Sequence, residues 1–260
     1  MVCTVDHIAQ WMSQWAPEDT AEPRDHVGLQ VGCRQDPVSV VVVALDVTSD
    51  AIEYARHIGA QLLVTHHPLL YRPLTSITGE SPVGSLALQA IRAGVALYAA
   101  HTNLDLAPGG VNDALCAKLG FIGGPAQAAP MARLVQLAQP VSLQAFAVRV
   151  RDSLGAPAVR LSGAEDRLIH RVYVLGGAGR HDIDFAVQSD CDVILTGELD
   201  YHAALTAGQL GLATIEAGHD FTERPVLEEM KTYLQKQAKA LQYTLRTEVY
   251  LPACCPFWYV

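Results

Sequence analysis

The chain has 260 residues and a formal net charge of −9; half of its residues are hydrophobic and 17% are charged. That apolar fraction supplies a buried core for one large α/β domain or two smaller lobes, and it excludes intrinsic disorder over most of the length. The acidic balance, 27 Asp and Glu against 18 Lys and Arg, excludes a general binder of phosphate backbones, so nucleic acid is not an expected partner.

In chain order, the opening MVCTVDHIAQWMSQW lacks the basic start and apolar core of a signal peptide. It reads as an amphipathic helix capped by Thr4, with Val5, Ile8, Met12 and Trp15 at helical steps. The β-branched run Ser39 to Leu45 predicts a strand buried in a parallel sheet. Ser49 is placed to cap a helix that Gly59 closes, and a second strand, Gln61 to Thr65, runs into His66-His67-Pro68. A helix from about Ser85 to Arg92, stopped by Gly94, leads to a third strand, Val95 to Ala100, and then to a loop opened by His101 and containing Asp105.

Glycine and proline without charge between Leu119 and Ala132 mark a lobe boundary. The pattern then returns: strand Arg171 to Leu175, helix around Ile183 to Gln188, strand Asp192 to Thr196, helix around Ala203 to Gln209, strand Ala213 to Ala217. Displacing the first half by 131 positions sets Leu45 on Gly176, Ile52 on Ile183 and Thr65 on Thr196, a faint internal duplication. A long helix from about Thr222 to Leu241 follows, with Leu227, Met230, Leu234 and Leu241 as its buried face. The expected fold class is α/β, built of two similar β-α-β-α-β lobes. The expected division is 1–127, 128–218, and a segment 219–260 whose helix and apolar tail pack back on the first lobe. No apolar run approaches the roughly 18–20 residues that span a bilayer, so no membrane partner is expected. Six cysteines without a C-x-x-C pair imply reduced thiols in the cytoplasm.

Loops just past the carboxyl ends of parallel strands form the functional edge of such a sheet. His66 and His67 lie there after one predicted strand, His101 and Asp105 after the next, and His219 with Glu223 after the last strand of the second half. Taken singly, Asp105 is a turn residue and Glu223 a favourable charge at a helix start. Together, imidazole and carboxylate at three strand ends predict a metal site of His66, His67, Asp105, His219 and Glu223. Without thiolates, this donor set suits zinc, manganese, iron, cobalt or nickel better than calcium. One catalytic zinc with an open position would leave donors over, whereas two divalent ions about 3.5–4 Å apart would use all five. Such ions make hydroxide available near neutral pH, so hydrolysis is the expected chemistry.

The segments Asp25 to Gly32, Thr65 to Pro68, His101 to Asp105, Thr196-Gly197-Glu198, and Gly218-His219 with Thr222-Glu223 occur in an order and context that resembles a known family. These are the GTP cyclohydrolase I type 2 homologues, also called NGG-interacting-factor-three-like dinuclear metal-centre proteins. The resemblance covers Asp25 to about Met230. It implies two α/β lobes, a two-metal site in the cleft between them, and a homo-oligomer in the form of a hexameric ring. It also implies that His67 and Asp105 bind one ion, His66 and His219 the other, and that Glu223 bridges them. A dinuclear-metal hydrolase of GTP cyclohydrolase type, acting on a small-molecule, nucleotide-like substrate, is then one expectation. A non-enzymatic metal-binding or protein-interaction module is the other. Asp220 stands where the family leads one to expect an aromatic residue or histidine, and the tail Pro252 to Val260 departs from the family ending.

Other sequence signals are weaker. His101 is a candidate general acid/base or a partner that orients a metal ligand. Glu198 and His202 are candidates to line the same site. Gly176-Gly177-Ala178-Gly179 is either a phosphate-binding turn or simply a tight turn. Cys254-Cys255 reads as packing.

Overall fold

The computed structural model describes residues 2–127, 129–252 and 256–257. They fall into two compact units, Met1–Pro108 with Leu227–Cys255, and Gly109–Val226 with Pro256–Val260.

The first unit is built on a five-stranded sheet. Its order across the sheet is Arg246–Val249, Val40–Ala44, Leu62–Thr65, Ala96–Ala99, Gly28–Val31. The first four run parallel and the last is antiparallel to its neighbour. Val41, Val42, Val43, Leu62, Leu63 and Val64 are all inaccessible to solvent, which is why the sequence shows continuous apolar runs here rather than alternation. Each such side chain contributes about 1.5–3 kcal/mol on burial. Helix Val5–Trp15 carries its capping box on Thr4 and His7, and buries Val5, Ile8 and Met12.

The second unit has a six-stranded sheet in the order Gly124–Pro125, Arg133–Ser142, Leu168–Val174, Val193–Thr196, Ala213–Glu216, Arg160–Ser162. Its three central strands are parallel and the strands flanking them antiparallel. The units repeat one plan. In each, three parallel strands lie side by side in chain order, and beyond the third lies an antiparallel strand that precedes them in the sequence. The predicted pair of similar α/β lobes is the architecture of the molecule.

Local expectations are corrected in several places. The helix cap before Ala51 is Thr48, whose hydroxyl accepts the Ala51 amide at 3.1 Å, so Ser49 is already helical. The helix expected from about Ser85 begins at Pro82, because Ser81 caps it and proline tolerates the first turn. The loop after His101 contains a short helix, Thr102–Leu106, followed by helix Val111–Lys118. The single helix expected from Thr222 is two: His219–Glu223, then Pro225–Ala240. Leu227, Met230 and Leu234 are buried, but Leu241 is exposed because it lies past the helix end. Most of the apolar tail, including Cys254-Cys255, lies outside the described residues.

Candidate metal-binding clusters

In the first unit, four predicted residues gather beyond the ends of strands Leu62–Thr65 and Ala96–Ala99. His66 is fully buried, and its Nδ1 lies 2.9 Å from the carbonyl oxygen of Ala100. A carbonyl can only accept, so Nδ1 carries the proton and Nε2 presents its lone pair. That Nε2 stands 3.7 Å from Asp105 Oδ1, longer than a hydrogen bond. His67 pairs through Nδ1 with Asp46 Oδ1 at 2.8 Å, and His101 through Nδ1 with Asp25 Oδ1 at 3.0 Å. The ring centroids of His66 lie 4.9 Å from those of His67 and 5.1 Å from those of His101. One ring nitrogen from each of the three falls within 4.8 Å of the other two.

Asp25 is locked in place as an ionised acceptor. Burial by itself would raise its carboxyl pKa. Hydrogen bonds from His101 and Thr102, the charge of His101 and the Thr102 amide outweigh burial and hold it at about 2. Its second oxygen takes the Thr102 hydroxyl at 2.6 Å and amide at 3.1 Å. An ionised acceptor at Nδ1 fixes the His101 ring and, in its neutral form, directs the proton there, so that Nε2 is the nitrogen that presents a lone pair.

In the second unit, His219 opens helix His219–Glu223 after Gly218, whose φ of +90° turns the chain out of strand Ala213–Glu216. Four-residue spacing puts His219 and Glu223 on one helix face. Nε2 of the histidine is 3.1 Å from Glu223 Oε1, and its Nδ1 is 3.2 Å from Glu198 Oε1. The Glu223 carboxylate is 5% exposed. Beneath it runs Gly177, at φ +67°, where a Cβ would fall 2.4 Å from Glu223 Oε1. Thr222 fixes this floor by accepting the Gly177 amide at 3.1 Å.

The donor chemistry fits a cation in both clusters. A neutral imidazole donates from one nitrogen only. With its proton given to Glu198, His219 turns a lone pair toward a buried carboxylate oxygen; His66 does the same toward Asp105. Two acceptors facing one another are reconciled by a proton or by a shared metal ion. Metal-binding histidines characteristically donate their other ring nitrogen to a carboxylate or carbonyl, and His66, His67, His101 and His219 all have such a partner.

Sequence reasoning missed the orienting acceptors Asp46 and Asp25 and placed Glu198 only as a lining residue. Other expectations resolve differently. His202 is exposed on helix Tyr201–Gln209, its ring beside that of Tyr201. Asp220 is committed to an ion pair with Arg224 one helical turn on. The glycine turn is structural: Gly176 donates to Asn112 Oδ1, Gly177 to Thr222, and Gly179 to the Glu198 carbonyl. Those amides are engaged within the protein rather than offered to a phosphate.

Comparison with known proteins shows the family of the chain. The model of the family Duf34/NIF3 (NGG1p interacting factor 3) matches residues 3–251. A Clostridium acetobutylicum protein named GTP cyclohydrolase 1 type 2 homolog is 32% identical, over 90% of this chain and 91% of its own. A Streptomyces coelicolor protein of the same name is 31% identical, over 90% and 86%. Among solved structures, a Bacillus cereus protein related to NIF3 superimposes over the whole of both chains, with a TM-score of 0.92 and 23% identity. A Staphylococcus aureus protein does so over 99% of both, with a TM-score of 0.91 and 25% identity. The chain belongs to the Duf34/NIF3 family.

Proposed function

We propose that this chain is a dinuclear-metal-dependent hydrolase acting on a nucleotide-like small molecule. His66, His67, Asp105, His219 and Glu223 are its ligands for two divalent ions of the zinc, manganese, iron, cobalt or nickel type. The observation that carries the reading is the common pattern of the histidines, each with Nδ1 bonded to an oxygen acceptor and two with Nε2 turned toward a carboxylate. Bound divalent ions supply Lewis acidity and water of lowered pKa. The protein's own part is to hold the imidazole rings with Nδ1 toward an acceptor, keep Asp25 ionised, and present His101 Nε2 so that the neutral ring can take a proton from an attacking water. The nucleotide class rests on the name borne by the relatives, GTP cyclohydrolase 1 type 2 homolog. A hexameric ring and a cytoplasmic location belong to the same proposal. Among the described residues, no helix is long and apolar enough to cross a membrane.

The test is turnover of GTP and other nucleotides by protein reconstituted with each metal, beside His67→Ala and Glu223→Ala. Metal-dependent hydrolysis that both substitutions abolish is the expected result. Unchanged activity in both refutes the ligand set. Ions bound tightly with no turnover across the panel replace the enzyme with a metal-binding or protein-interaction module.

A further inference from the structure

We infer that Arg160 and Glu216 form a clamp that positions Glu198 against His219 and so sets the ring orientation in which His219 offers Nε2 to a cation. The inference rests on the metal-centre reading above. Arg160 and Glu216 face each other in register on antiparallel neighbouring strands. Arg160 Nε donates to Glu216 Oε1 at 2.9 Å, and its Nη2 to Glu216 Oε2. The same Nη2 also reaches the Leu199 carbonyl at 2.7 Å, while the Leu199 amide donates to Glu216 Oε2 at 2.8 Å. Both polar groups of Leu199 are therefore held by one ion pair. On the other side, the amides of Gly197 and Glu198 both donate to the Gly177 carbonyl, at 2.9 and 3.0 Å. Glu198 stands between two pinned neighbours, and its side chain extends from them to His219 Nδ1.

Stability alone explains this arrangement poorly. The Arg160 side chain is 66% exposed, and an ion pair open to water on one side contributes little to folding. Glu216, by contrast, is 6% exposed, so its charge is kept inside the protein at a desolvation cost. What the pair achieves is geometric. Arg160, Glu198, Glu216 and His219 line a single cavity of about 490 Å³. Leu199 is anchored in the core, but Glu198 itself is exposed, so slack at Glu198 would be taken up in open space on the cavity side. A guanidinium fork, which bonds a carboxylate and a carbonyl at once, removes that slack in a way a lysine cannot.

The experiment measures zinc affinity by competition with a chromophoric chelator, with ions counted per chain. It uses the full-length protein and the variants Arg160→Ala, Arg160→Lys, Glu216→Gln, Glu198→Ala and the double variant Arg160→Ala with Glu198→Ala. His219→Ala defines which binding component is read. Loss of an orienting partner weakens metal binding by about 10–100-fold, so Arg160→Ala is expected to cost roughly tenfold and Arg160→Lys to rescue little of it. Because the clamp acts through Glu198, the double variant should bind no more weakly than Glu198→Ala alone. Nitrogen-15 imidazole spectra of the metal-free protein give a second readout. His219 should show a fixed Nδ1–H in the parent and an averaged ring in Arg160→Ala and Glu216→Gln. Affinity within twofold of the parent in Arg160→Ala, an additive loss in the double variant, or an unaltered His219 spectrum each overturns the clamp. A parent that takes up no His219-dependent ion overturns the metal-centre reading instead, and the spectra still decide the clamp.

Discussion

Replacing Gly177 by alanine probes the second cluster from below. Two costs arise, and they can be separated. The first is conformational: φ is +67°, and a Cβ in the left-handed region costs about 1–2 kcal/mol. The second is steric, since the new methyl would lie 2.4 Å from Glu223 Oε1 against an ordinary contact of 3.4–4 Å. The backbone cannot easily relieve it. The Gly177 amide is bonded to Thr222, and its carbonyl accepts from Gly197, Glu198 and Thr196. Glu223 must therefore move, breaking its 3.1 Å approach to His219. Gly155 supplies the matched control, with φ +66° and nothing within 4 Å of its Cβ position. In a chain of this size 1 kcal/mol corresponds to about 2–4 °C in the thermal midpoint. Gly155→Ala should lower the midpoint by about 2–8 °C and leave metal affinity untouched. Gly177→Ala should lower it further and weaken metal binding by about 10–100-fold, the scale of a displaced ligand or supporting group. Thermal unfolding of the metal-free proteins and ion titration of each would check this. Equal ion affinities in the two variants would refute the role of Gly177 as the surface against which Glu223 is set.

Two further expectations concern residues away from the clusters. Asp113 forks with buried Arg133 and accepts the Gly109 amide at 2.7 Å. Burial works to raise the Asp113 pKa, but the Arg133 and Gly109 contacts outweigh it and hold the group below the usual carboxylate value. Its contribution is therefore complete above that usual value and is lost as pH falls through the lowered one. Asp113→Asn should cost about 3 kcal/mol near neutrality by leaving a buried guanidinium uncompensated, with the gap closing in acid; denaturation curves of both proteins against pH measure it. Burial, with the Asp113 charge added, pushes the Cys116 thiol up to about 12, whereas Cys33 is exposed. Alkylation of the native protein at pH 8, mapped by mass spectrometry, should modify Cys33 and spare Cys116; rapid modification of Cys116 would contradict its place in the core.

The fold was legible wherever burial imposed a continuous apolar run. Strand Val40–Ala44 and its parallel neighbours announce themselves because both faces of the sheet are covered and nearly every side chain is apolar. Strand Arg133–Ser142 escaped reading because only its first residues are buried in alternation. The run Gln136-Leu137-Ala138-Gln139-Pro140 then has the composition of a loop, and its pairing partner, Leu168–Val174, lies far along the chain. Helix Leu143–Leu154 went unread with it. Its start is fixed by the Ser142 cap, and its apolar face, Leu143, Phe146, Ala147 and Val150, is interrupted by arginines on the solvent side. The split between His219–Glu223 and Pro225–Ala240 was hidden because proline at the first helical turn is compatible with either one helix or two.

The candidate ligands follow from residue chemistry in the sequence, but the residues that aim them follow from register, which a linear reading does not expose. Thr65 pairs with Ala44 in the parallel sheet, so His67 and Asp46, each two residues further on, arrive side by side. Thr65 also pairs with Ala99, which brings His66 beside the carbonyl of Ala100 one step past both. On the antiparallel side Gly28 pairs with Ala99, and continuing that register outward sets Asp25 against Thr102 and its neighbour His101. In the second unit Thr196 pairs with Glu216, and the same outward step carries Glu198 toward Gly218-His219. One rule thus accounts for all four acceptors: each lies just beyond the end of the strand adjacent to the one that delivers its histidine. A one-residue slip in any of these pairings would send the acceptor to the opposite face while leaving every predicted ligand at its place in the sequence. On the metal-centre reading, ion affinity depends on sheet register as much as on ligand identity, and substitutions that disturb the strand ends should weaken ion binding without touching a single candidate ligand.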